Sequence, residues 1–127
     1  MEIKKNIFVN LSNHPSHKWC REQKEAVDKI VPSARIVDYH FPSVDSMLSE
    51  TQILKMAEQL AGEIAALDPS AVMCQGEFGL TFCLVTMLKK MGIKTVYGCS
   101  ERKATEIQTK NGTEKVSTFI FVKFREY

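Results

Sequence analysis

The residues of this chain that could do chemistry fall in three short stretches. Asn10, Ser12, Asn13 and His14 stand together ahead of Pro15, Gln75-Gly76-Glu77 closes an apolar run, and Ser100-Glu101-Arg102 follows another. Amides and hydroxyls of this kind orient a phosphate, and a guanidinium grips one bidentately. An imidazole such as that of His14 moves a proton near neutral pH, or touches a phosphate. Glu77 sits in Gly76-Glu77-Phe78-Gly79, where a strand gives way to a helix, and offers one carboxylate at that turn. Each of the three has a plainer reading: an exposed acid in a tight turn for Glu77, a capping loop histidine for His14, and a surface ion pair with Glu101 or Glu106 for Arg102.

Much other chemistry is excluded. There is no GxGxxG, no Walker lysine and no GxSxG elbow, so dinucleotide, ATP and esterase readings lack a motif. His14 and His17 are three apart with no third nitrogen ligand beside them, and His40 lies on another loop, so no metal site is expected. The four cysteines show no CxxC spacing, and Cys74 and Cys83 read as small core residues. No cofactor is implied. Seventeen basic against fifteen acidic residues leave a charge of +2, too little for a nucleic-acid duplex. No segment is long and apolar enough to span a membrane. The opening Met1-Glu2-Ile3-Lys4-Lys5 is too polar for a secretory leader, which fits a cytoplasmic protein with reduced thiols.

The elements that must position these residues follow from the apolar patterning. The 127 residues are one domain by length, 1–127. Residues 6–11 read as a first strand stopped by Pro15, and Ser16 as the N-cap of a helix carrying Trp19, Ala26, Val27 and Ile30 up to Pro32. Residues 35–39 form a second strand. Ser49 caps a second helix with Ile53, Met56, Ala57, Leu60, Ile64 and Leu67 along one face. A third strand spans 71–75. The helix 78–91 is apolar on nearly every side, as if pressed into a core, and stops at Gly92. Residues 93–97 make a fourth strand, ending in a loop 98–102.

The pattern then alternates over 103–110 and 115–124 around Asn111-Gly112, which signals an antiparallel hairpin. Phe119 and Phe121 are in phase along it and Phe124 is not, which suggests a split between core and a subunit interface. The expected fold is α/β: a single Rossmann-like domain with a central parallel sheet flanked by helices and a C-terminal hairpin. In such a sheet the three stretches share the carboxyl edge, where ligands bind and where helix N-termini favour anions. Trp19 reads as core before it reads as a stacking platform.

Asn10-Leu11-Ser12-Asn13-His14-Pro15-Ser16, Gln75-Gly76-Glu77-Phe78, Ser100-Glu101-Arg102 and the terminal Phe121-Val122-Lys123-Phe124-Arg125-Glu126-Tyr127 resemble small CRISPR-associated proteins of the Csx type, related to the CARF (CRISPR-associated Rossmann fold) and ring nuclease superfamily. The resemblance runs along essentially the whole chain through short, degenerate motifs. It implies a CARF-like domain that forms a homodimer and binds cyclic oligoadenylate, such as cyclic tetra-adenylate, on the two-fold axis. It further implies metal-independent cleavage of that messenger, which switches off type III CRISPR signalling. The family's Asn-x-Ser/Thr falls on Asn10 and Ser12, and its basic residue after the fourth strand falls on Arg102. The basic residue four after the Ser/Thr is missing, since Ser16 stands there, with Lys18 two further on. Glu77 has no counterpart in the family pattern.

The mechanism implied has Asn10, Ser12, Asn13, Gln75, Gly76 and Ser100 holding the ligand, and Arg102 stabilising charge on phosphorus. His14 or Glu77 moves the proton while a ribose 2′-hydroxyl attacks in line. Two other readings are a non-catalytic module that sequesters the same messenger and an unrelated Rossmann-like nucleotide-binding enzyme.

Overall fold

Asn6 opens onto a strand whose odd and even positions face two different helical layers. A computed structural model describes residues 6–127; Met1–Lys5, read above as a polar lead-in, lie outside the described residues. Strand β1 (Ile7–Ser12) is buried along its whole length, one residue later than the sequence suggests. Ile7, Val9 and Leu11 join one core with Val72, Cys74, Ala57, Ile64, Leu80 and Leu84, while Phe8 joins the other with Trp19, Val27, Met73 and Val96. Alternation along a pleated strand produces this division, so both faces of the sheet are covered.

Strand β2 (Arg35–His40) and strand β3 (Ala71–Cys74) flank β1 in parallel, and β4 (Lys94–Thr109) runs parallel to β3. With β5 (Gly112–Glu126) antiparallel to β4, the sheet order is β2-β1-β3-β4-β5. Helix α1 (Arg21–Ile30) covers the Phe8 face, burying Val27 against it. Helices α2 (Glu50–Ala66) and α3 (Phe78–Lys90) cover the other. Helix α2 begins at the expected Ser49 with a reciprocal capping box to Gln52, and Ala57, Leu60, Ala61 and Ile64 form its buried stripe. Among the described residues no helix is long and apolar enough to cross a membrane.

Four expectations are corrected. Ser16 does not cap α1: it opens a short 3₁₀ turn, Ser16–Lys18, and the helix starts at Arg21 after Cys20. The Ser16 hydroxyl is instead committed to Asp38, and Trp19, ahead of the helix, is driven into the core as the sequence suggested. Helix α3 is apolar on all sides but buries only one: Leu80, Leu84 and Leu88 face inward while Phe78 and Phe82 stand in solvent.

The third correction concerns residues 98–102, which are not a loop. Strand β4 runs through them without a break for 16 residues, so the fourth strand and the first hairpin strand are one element. The turn lies at Lys110-Asn111, with Gly112 at φ 116° just after it, the geometry of a tight turn followed by a residue only glycine adopts freely.

The fourth concerns the aromatic residues of β5. Cys99 pairs with Lys123 but Ser100 with Phe121, so Val122 is an extra, bulged residue. The bulge shifts the phase and puts Phe121 and Phe124 on one face with their rings 5.0 Å apart. Period-2 counting misses this because it assumes an unbroken ladder.

Candidate functional site

The order β2-β1-β3-β4 reverses direction between β1 and β3, and the carboxyl ends of those strands open the crevice where ligands of such sheets bind. A cavity of about 560 Å³ lies there, within the usual size of a small-molecule site. Its walls come from the end of β1 and the segment after it (Ser12, Asn13, His14, Lys18), from Met73 of β3 and Gln75 just beyond it, from Gly98 and Ser100 of β4, and from Phe119 and Phe121 of β5. Trp19, Cys20 and Gln23 complete it from the approach and first turn of α1.

The segment after β1 is held by one polar network. Asn10, fully buried, donates from Nδ2 to the His14 carbonyl and to Asp38 Oδ1, both at 2.9 Å, and accepts from the Ser12 hydroxyl at 2.6 Å. Ser12 Oγ also accepts from the His14 amide at 3.2 Å, and Trp19 Nε1 donates to the His14 carbonyl at 3.1 Å. Asp38, at the far end, accepts from the Ser16 amide and hydroxyl. Partial burial raises the Asp38 carboxyl, but hydrogen bonds from Asn10 and Ser16 outweigh it and hold the group below its ordinary value. The loop is thus tied to β2 by a charged acceptor that in the sequence looks like an ordinary strand residue.

The candidate residues separate accordingly. Ser12, Asn13, His14, Gln75 and Ser100 meet at the cavity. Gln75 also uses Oε1 to accept the Gly98 amide at 2.9 Å, which fixes β3 to β4 at the rim. Asn10 acts beneath the surface as a positioning residue. Gly76 is required sterically, because a Cβ there would lie 2.4 Å from the ring of buried Phe41.

Glu77 lies outside the cavity. Its carboxylate accepts the amides of Gly79 and Leu80 at 2.5 and 3.3 Å, so it is the N-cap of α3, where a negative charge also meets the positive end of the helix. Arg102 lies two residues farther along β4 than Ser100, and its Nε and Nη2 donate to Ser117 Oγ rather than reaching Glu101 or Glu106.

The cation at the cavity is Lys18, which the sequence presents only as a near miss of a family position. Phe119 and Phe121 carry no local signal of a cavity role, since only the long continuous β4–β5 ladder brings them there. His14 is exposed, and among the described residues no hydrogen bond holds its imidazole. No carboxylate among the described residues lines the cavity. Among the described residues no cluster of His, Cys, Asp and Glu is suited to a metal. The lining offers, among the described residues, one cation, an imidazole, five amide or hydroxyl side chains and an apolar aromatic wall, and α1 begins at its edge with no side-chain bond from its N-cap Cys20 and with Glu22 in its first turn. It suits a small anion with a flat apolar part.

The chain belongs to the Uncharacterized protein MJ1673 family, whose model matches residues 6–125. No curated protein and no solved structure matches it.

Proposed function

We propose that this member of the Uncharacterized protein MJ1673 family binds a phosphorylated nucleotide unit in the cavity between β1, β3 and the root of the β4–β5 hairpin, and that cyclic oligoadenylate supplies it. The observation that carries the reading is the lining itself. Lys18 and His14 form one side, aromatic Phe119 and Phe121 form the other, and among the described residues no carboxylate lines the cavity, the nearest acid of α1 being Glu22 in its first turn. A phosphate fits the first side and a base the second. The choice of cyclic oligoadenylate rests on the resemblance in sequence, not on the cavity.

Turnover would proceed by attack of a ribose 2′-oxygen on the adjacent phosphorus. The 2′-O–P bond forms, the 5′-oxygen leaves and takes up a proton, and a 2′,3′-cyclic phosphate remains. Lys18 takes the phosphate charge in place of Arg102, and His14 moves the proton in place of Glu77, which is engaged in capping. The unanchored imidazole of His14 favours a second reading, a module that binds the messenger without cutting it.

The test is incubation with cyclic tri-, tetra- and hexa-adenylate, with and without EDTA, followed by chromatography and a binding titration. EDTA-resistant linear products support cleavage. Tight binding without products supports sequestration. Absence of binding to all three rejects both.

A further inference from the structure

Beyond the Ser100–Phe121 rung, β4 and β5 leave the domain as a bare two-stranded arm. Every residue of 100–120 is exposed, including Phe119, Ile120, Val116 and Ile107. Among the described residues nothing covers it, and a lone two-stranded ribbon is marginal in water at best. Its two edges differ. Both carry lysines, but the β5 edge also has the Val122 bulge, a feature that blunts strand addition. The β4 edge beyond Gly98 has neither bulge nor proline, and β3 covers β4 only over residues 94–96.

From these features we infer that the β4 edge pairs with β4 of a second copy of this chain, antiparallel, with Ala104 on the two-fold axis. The polarity of the backbone is fixed by Gly98, whose N–H donates to Gln75 on the β3 side. Backbone groups alternate along a strand, so the even positions of β4 from 100 to 108 point to the same open edge. Centring on Ala104 makes each even residue face an even residue, and closes about ten backbone hydrogen bonds.

Charge selects this register. It places Arg102 opposite the partner's Glu106 and Glu106 opposite the partner's Arg102, on one face of the ribbon. Centring on residue 102, 103 or 106 instead sets arginine, lysine or glutamate against its own copy, and centring on 105 pairs Arg102 with glutamine. The result is a continuous four-stranded ribbon, an isologous interface that closes at two copies. Ser100 then faces the partner's Gln108, so each tip reaches the rim of the other copy's cavity. The two Ser100 positions stand about 26 Å apart along the strands, at ~3.3 Å per residue, which gives each cavity its own ligand.

Light scattering after size exclusion, with circular dichroism to verify folding, tests the interface. Wild type should run as a dimer. Ala104→Pro should be a folded monomer, because the N–H it removes faces the open edge rather than β5. Arg102→Glu and Glu106→Arg should each weaken the dimer about tenfold, and the double exchange should restore it. A wild-type monomer at high concentration, or a dimer indifferent to both Ala104→Pro and charge reversal, overturns the inference.

Discussion

Replacing Asp38 by Asn tests whether the β1–α1 segment is held by charge. The carboxylate accepts three donors: Asn10 Nδ2 at 2.9 Å, Ser16 Oγ at 3.0 Å and the Ser16 amide at 3.2 Å. Asparagine keeps one acceptor oxygen and turns an NH₂ toward donors that need an acceptor. Hydrogen bonds to a charged group contribute about 1.5–3 kcal/mol when sheltered, but Asp38 is exposed, so about 1 kcal/mol is the expected loss. For a chain of this length that is a fall in Tm of about 3–5 °C.

The pH dependence of the same variant has a definite sign. Because the folded carboxyl lies below its ordinary value, its stabilisation is full above the unfolded value, near pH 4. It is lost as pH falls through the folded value. Thermal melts of wild type and Asp38→Asn at pH 7 and pH 3 should therefore show a gap that closes on acidification. Equal melting temperatures at pH 7, or a gap that widens in acid, would refute the account of this network.

Other substitutions separate structural roles from ligand contacts. Lys18→Ala should weaken binding of cyclic oligoadenylate at least tenfold in a titration, whereas Arg102→Ala, whose guanidinium is spent on Ser117, should change it less than threefold. Gly76→Ala should cost about 1–3 kcal/mol in urea unfolding through its collision with Phe41, and Phe41→Leu in the same chain should recover part of that loss. Glu77→Ala should cost about 1 kcal/mol as a lost helix cap while leaving ligand affinity in place; an intact melting curve with abolished binding would instead return Glu77 to the site.

The alternation of strands and helices was legible because its signals are local. Ser49 with Gln52 marks the start of α2, Gly92 at φ 77° follows α3, and 71–74 is apolar throughout as a doubly covered strand must be. Local signals fail where a distant partner decides. Ser16 has the chemistry of an N-cap, yet Asp38, 22 residues away, takes its hydroxyl and amide. Gly98 and Ser100 read as loop residues, yet β5 supplies a ladder that keeps them extended. The phase of Phe124 against Phe121 depends on a bulge no composition announces.

The same distinction explains the site. Of the residues that line the cavity, Ser12, Asn13, His14 and Gln75 lie at or just beyond the ends of β1 and β3, and strand ends share an edge whenever a sheet is parallel, while Ser100 lies within β4 where that strand passes the same edge. Glu77 and Arg102, charged residues that stand out for reactivity, do not line it. A lone carboxylate beside a helix start meets free amides at once, so capping competes with catalysis and takes Glu77. A long arginine on an exposed strand finds the nearest cross-strand hydroxyl, which takes Arg102. What remains to meet an anion is Lys18, placed by the 3₁₀ turn that arises because Asp38 captures Ser16 and Trp19 is buried. The cation of the cavity is thus set by a contact between β2 and the β1–α1 segment, and loosening Asp38 should reduce ligand affinity as well as stability.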